Sequence, residues 1–186
     1  MKGIVFTELL EMVGEKFGSD MVDDIIEGAN LPSGGAYTSV GTYNHEEILS
    51  LVSQLSLVSS IEVPILVKTF GQFLFGRLFK RFIAGNPEFL ERVKTTYDFL
   101  ESVENNIHVE VNKLYPDAEL PTFDCRRIPP GQFEMVYRSK RPFGDLAEGL
   151  ILACIQHFDE PITLHRENLE EETGKVVRFV LTKSEA

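Results

Sequence analysis

Apolar residues recur every three or four positions through most of the chain up to residue 115, and alternate with polar ones over short stretches beyond it. Residues 2–17 put Ile4, Val5, Leu9, Met12, Val13 and Phe17 on one side of an amphipathic helix that Gly18 stops. Ser19 or Asp20 caps a shorter helix ended by Gly28, and the stretch from Leu31 to Ala36 is a loop by composition. Asn44 followed by Glu47 opens a third helix that runs to about Leu57. Pro64 starts a fourth, strongly aromatic one, with Phe70, Phe73, Leu74, Leu78 and Phe82, ending at Ala84-Gly85. Its Gly71 lets another backbone or a flat ligand come close.

From Glu88 to Tyr115, between Pro87 and Pro116, the pattern predicts one long helix. Val93, Tyr97, Leu100, Val103, Ile107, Val111 and Leu114 form its buried stripe. At about 100° per residue, His108 lies roughly 90° from the middle of that stripe, with Leu90, Tyr97, Glu104 and Tyr115 at the same edge. An imidazole there fits an ordinary half-buried histidine as well as a ligand presented to something beside the helix.

Leu120–Ile128 is short and extended, Pro129-Pro130-Gly131 is a turn, and Gln132–Ser139 alternates as a strand. Pro142 opens a further helix ending near Phe158. Ile162–Arg166 and Val176–Thr182 close the chain as paired strands joined through a Thr173-Gly174 turn. The predicted class is α+β within a single domain spanning residues 1–186. A helical N-terminal lobe of about residues 1–60 packs on a mixed lobe, about 61–186, holding a small antiparallel sheet.

Composition narrows the functions. With 186 residues, 43% of them hydrophobic and 25% charged, the chain has the make-up of a globular domain with a sizeable core. A formal net charge of -11 argues against a nucleic-acid partner, which needs a basic surface. Its two cysteines, Cys125 and Cys154, form no CxxC pair and read as free thiols in a reducing, cytoplasmic setting. No apolar run approaches the roughly 18 residues needed to span a bilayer, so no membrane partner is expected. Glycine-rich phosphate loops are also absent.

One short stretch carries chemistry. Tyr137, Ser139 and Arg141 alternate at a strand end, so an extended backbone sets them on one side, about 6.6 Å apart in a row of roughly 13 Å. Two hydroxyls and a guanidinium with no acid among them suit a ligand carrying two carboxylates. A solvated strand end holding its own charges has the same spacing.

Tyr-x-Ser-x-Arg, downstream of a histidine set in Ile107-His-Val-Glu-Val-Asn-Lys-Leu-Tyr115, resembles the heme-nitric oxide/oxygen binding (H-NOX) family. These bacterial gas sensors are similar to the heme domain of soluble guanylate cyclase. The resemblance runs from the opening Met1-Lys-Gly through Thr69-Phe-Gly-Gln-Phe-Leu74 to the last strand. It implies heme b (iron protoporphyrin IX) held between the lobes, with His108 as the iron's proximal ligand and metal contact. By the same resemblance Tyr137, Ser139 and Arg141 hold the two propionates, and Pro121 presses on the porphyrin and bends it. The aromatic helix with Leu74 and Leu78, the first helix near Ile4 and Val5, and the helix after Pro142 wall the distal side.

Relatives that hold oxygen carry a distal tyrosine downstream of the Arg, where this chain has Leu146; Leu74 and Leu78 likewise lack a donor. The resemblance therefore implies that nitric oxide and carbon monoxide bind and oxygen does not, unless another tyrosine such as Tyr43 reaches the site. It further implies that NO weakens or breaks the iron–histidine bond and so releases the helix. The partner is then a separate histidine kinase or cyclic-di-GMP enzyme, with no catalysis in this chain. Cys154, His157 and His165 are too few for the zinc site of some relatives. Two alternatives stand beside the sensor: a histidine-based enzyme using His108, His157 or His165 near an acid such as Glu104, and a cofactor-free protein-interaction module.

Overall fold

The computed structural model describes residues 1–171 and 174–184. Helices α1 (Gly3–Phe17), α2 (Ser19–Gly28), α3 (Glu46–Ser59) and α4 (Val63–Gly85) follow the expected order and nearly the expected bounds. Short helices α5 (Phe89–Arg92), α6 (Thr96–Ser102) and α7 (His108–Leu114) come next, then strands β1 (Thr122–Ile128) and β2 (Gln132–Ser139), helix α8 (Gly144–Phe158), and strands β3 (Ile162–Glu171) and β4 (Gly174–Lys183). The four strands form one antiparallel sheet in the order β1-β2-β4-β3. The protein is thus α+β, as its pattern predicts. β3 runs five residues past its expected end at Arg166, because backbone pairing with β4 carries it through the polar Glu167 and Asn168. The turn expected at Thr173-Gly174 lies partly outside the described residues.

Burial divides into two cores. Phe6, Leu9, Met12, Val13, Ile48 and Leu51 of the first helices pack with Leu66, Phe70 and Leu74 of α4 and with Phe143. Phe133, Met135, Val177, Phe179 and Leu181 of the sheet pack with Phe99, Leu100, Ile151 and Phe75. Two faces of α4 therefore serve the two cores: Leu66, Phe70, Leu74 and Leu78 face the first, and Phe75, Phe79 and Phe82 the second. Among the described residues no single helix is long and apolar enough to cross a membrane; α3 and α4 pass that test only together, and they are bent by 114°.

α4 and α8 cross where Gly71 meets Gly149. A Cβ on Gly149 would stand 2.1 Å from the Lys68 carbonyl oxygen and 3.0 Å from Gly71 Cα, both backbone atoms that cannot swing away. Gly149→Ala is expected to force the two helices apart at a cost of about 1–3 kcal/mol, the range for overpacking a tight contact. Urea unfolding of the variant beside wild type measures it.

The long helix expected from Glu88 to Tyr115 is not continuous. It breaks at Val93, whose backbone is extended, and restarts at Thr95 with a capping box: Thr95 Oγ1 accepts from the Asp98 amide at 3.2 Å, and Asp98 Oδ2 accepts from the Thr95 amide at 3.1 Å. Two satisfied donors at a helix start outweigh the periodicity that runs through the break. Between α6 and α7, Val103–Ile107 form a π turn whose last bond runs from the His108 amide to the Val103 carbonyl. The extra residue rotates everything after it by about 100° relative to a continuous α-helix. Leu114, expected in the buried stripe, is consequently 74% exposed, and no residue of α7 is fully buried.

Candidate functional site

The π turn delivers His108 to the edge of the sheet. Its side chain is largely buried, with Nδ1 3.1 Å from Glu104 Oε2, and the same carboxylate oxygen accepts the Phe123 amide of β1 at 3.2 Å. Burial lowers the imidazole pKa below its ordinary value, against the upward pull of Glu104, so the ring is neutral at pH 7. A carboxylate only accepts, so Nδ1 carries the proton and Nε2 keeps its lone pair. Nε2 has no hydrogen-bond partner among the described residues.

His108 also meets the sheet through rings. Its centroid is 5.5 Å from Phe123, and Phe123 is 5.7 Å from Tyr137, its partner across the β1–β2 ladder. The histidine and the Tyr-x-Ser-x-Arg stretch, which lie far apart in sequence, are therefore joined by one phenylalanine. Tyr137 belongs to the buried face of β2 with Phe133 and Met135, since alternate residues share a face.

The donor row differs from a straight strand. β2 ends at Ser139, the chain bends, and the Arg141 amide donates back to Ser139 Oγ at 3.0 Å. Burial raises the Tyr137 pKa, opposed by the neighbouring Ser139 side chain, the Phe143 amide and Arg141. The three side chains thus gather in a hook and not along 13 Å of extended chain. An acid does join them: Arg141 donates to the Glu119 carbonyl at 2.8 Å and to Glu119 Oε2 at 2.7 Å. Those two bonds leave Nε–H and further Nη–H groups of the guanidinium for another acceptor. Half-buried Pro121 lies between Glu119 and β1.

Among the residues expected on the distal side, Val5, Leu78 and Leu146 pack on the first core around Leu74 and Phe143. Half-buried Ile4 is not among the residues packed on that core. None of these side chains offers a hydrogen-bond donor. Tyr43 packs on Phe6 and Tyr37, and its hydroxyl accepts the Thr38 amide at 2.9 Å, which commits it to its own loop. The lower aromatic half of α4 turns to the second core, with Phe75 5.5 Å from Phe99 and Phe79 4.3 Å from His157.

Cys154 is buried in that core, and burial pushes the half-buried Cys125 thiol up to about 12. Among the described residues, no group of three or more His, Cys, Asp or Glu side chains is arranged to hold a metal ion. Glu104 was legible beforehand as a helix neighbour of His108, four residues away. Phe123 and Glu119 carried no such signal, because their contacts depend on tertiary pairing.

A family profile described as Haem-NO-binding matches residues 2–166. The structure is similar to an Fe(II) unliganded H-NOX protein from K. algicida, with 38% identity, a TM-score of 0.86, and coverage of 100% of this chain and 98% of that one. It is also similar to the IWP-051-bound H-NOX from Shewanella woodyi in its Fe(II)CO state, at 43% identity, TM-score 0.80, over 99% and 95% of the two chains. An H-NOX protein from S. oneidensis in the Fe(II)NO state gives 26% identity and TM-score 0.85 over 100% of both. No protein of curated function matches the sequence. The profile match over nearly all of the chain, together with 38–43% identity across whole solved domains, makes this chain a member of the H-NOX family of heme-based gas-sensor domains.

Proposed function

We propose that this chain is a ferrous-heme sensor that takes nitric oxide and carbon monoxide, excludes oxygen, and passes the signal to a separate protein. The observation that carries the reading is His108 itself, whose Nδ1 is held by Glu104, whose Nε2 has no partner among the described residues, and whose ring reaches Tyr137 through Phe123. That donor set suits heme b: an imidazole for iron, apolar side chains on two cores for the flat ring, and Tyr137, Ser139 and Arg141 for propionates. Heme supplies a ferrous centre with one position for a diatomic gas. Pro121 is read as the residue that presses on the ring. Ile4, Val5, Leu74, Leu78 and Leu146 form the donor-free side that disfavours oxygen, which gains from a hydrogen bond that NO does not need.

Two features suit α7 to leave its place when its hold on the cofactor loosens. The helix buries no residue fully, so little burial opposes its movement. Its end is tied to the N-terminal helices by Lys2, which contacts Asp117 at 3.0 Å and Thr42 at 2.8 Å and lies 4.8 Å over the Tyr115 ring. Movement of His108 therefore has a direct route to the start of α1. Members of this family are sensor domains and not enzymes, so the output is assigned to a partner, a histidine kinase or a cyclic-di-GMP enzyme. Free thiols at Cys125 and Cys154 support a cytoplasmic setting.

The test is an absorption spectrum of the heme-loaded protein under reducing, anaerobic conditions. An intense Soret band that shifts with NO and with CO, and stays put in air-saturated buffer before slow oxidation, is expected. A protein that takes up no heme on reconstitution would overturn the reading; one forming a stable oxygen complex would overturn its selectivity.

A further inference from the structure

We infer that Glu104 is a positioning residue that fixes the tautomer and direction of His108 and strengthens its bond to iron, an assignment that rests on the heme reading above. Imidazole has two neutral tautomers, and only the one protonated at Nδ1 leaves Nε2 as the donor. At 3.1 Å from Nδ1, the Glu104 carboxylate selects that tautomer. Glu104 is itself aimed: its Oε2 also takes the Phe123 amide at 3.2 Å, so its place is set by β1 and not by the helix alone. Both residues sit at the π turn, Glu104 within it and His108 directly after it. A carboxylate hydrogen-bonded to a ligating imidazole draws the Nδ1 proton toward itself and makes Nε2 a stronger donor.

The consequence is a hold on iron that NO must work against. With the carboxylate present, His108 stays attached in a larger share of NO-treated protein than it would without it. Glu104 also ties His108 to the strand position facing Tyr137, so a shift of the imidazole pulls on the rim where the propionate-binding side chains gather.

Resonance Raman of the ferrous, heme-loaded protein tests this through the iron–histidine stretching frequency in wild type, Glu104→Gln and Glu104→Ala. The frequency is expected to fall in that order, because Gln keeps an acceptor without the charge and Ala keeps neither. His108 affinity for iron is expected to drop about 10- to 100-fold in Glu104→Ala, the range for loss of such a partner. It is read as a larger share of protein in which NO has displaced the histidine. Arg127→Ala is the structural control. It loosens the same helix–strand contact, through Asp98 at 2.7 Å and Glu101 at 2.8 Å, without touching His108.

An unchanged frequency across the Glu104 variants, or an equal drop in Arg127→Ala, overturns the inference. In either case a normal Soret band leaves the heme reading standing. Failure of wild type to load heme would remove both.

Discussion

Ferrous protein in which His108 is replaced by alanine is expected to hold heme at least about 100-fold less tightly than wild type, since partners one shell further out already contribute 10- to 100-fold. Nothing else among the described residues replaces it on that side: His45 packs toward Phe143, His157 lies among Phe75, Phe79 and Phe158, and His165 is a strand residue of β3. The measurement is transfer of heme to an excess of a high-affinity acceptor, with far-UV circular dichroism confirming that the fold survives. His108→Gly with added imidazole extends the test. Imidazole should restore the wild-type spectrum, because the small ligand fills the same position on iron. It should not restore the response of α7. In wild type, NO is expected to raise amide exchange over residues 108–114. In the rescued variant exchange there is high before and after NO, because no covalent link joins the ligand to the helix. If exchange over α7 stays low and insensitive to NO in wild type, the helix is not what moves.

Leu146→Tyr is the second large effect, expected from the proposed distal side of the site. Leu146 packs against the first core, and its own carbonyl faces Gly71 across the α4–α8 crossing, so the helix holding it is firmly placed. A phenol at that position brings one hydroxyl donor into an otherwise apolar surround. Bound oxygen carries partial negative charge, and a bond of that charge-assisted kind contributes about 1.5–3 kcal/mol, or ten- to more than a hundredfold in affinity. Oxygen affinity should rise by that factor while NO affinity changes only a few-fold, as measured by gas titration of the ferrous protein. Extra bulk in a filled core costs about 1–3 kcal/mol of stability, which a thermal melt records separately. A variant that folds, loads heme and still ignores oxygen would show that the missing donor is not what sets selectivity.

Much of this architecture was legible in advance because local forces decide it. α1 stops before Gly18, α2 runs to Gly28, α4 has Pro64 in its first turn, and β2 spans the residues whose alternation announced it. The cap expected of Ser19 or Asp20 does not form, because both lie inside α2 and Gly18 is its N-cap. The break before α6 was legible too, in Thr95 and Asp98, but a capping box inside a strong apolar period is easily overrun by that period. The π turn had no sequence signal at all. A turn with one extra residue has the same composition as one without it, and the contact it makes with β1, from Glu104 to the Phe123 amide, joins residues far apart in sequence.

By itself, the sequence determined the class of fold, the chemistry on offer and the two motifs that carry it: an imidazole at the edge of a helix, and a hydroxyl–hydroxyl–guanidinium stretch at a strand end. Each follows from near neighbours along the chain. Only the tertiary structure decided how those groups meet. Packing of the π turn on β1 brings Phe123 between His108 and Tyr137 and puts the Glu104 carboxylate on both an imidazole and a strand amide, while the pairing of β1 with β2 draws Glu119 onto Arg141. These contacts join residues whose sequence separations differ and whose spacing follows no period. They form because two elements bury apolar surface against each other, and no pattern along one strand of text records where that burial will place a polar side chain.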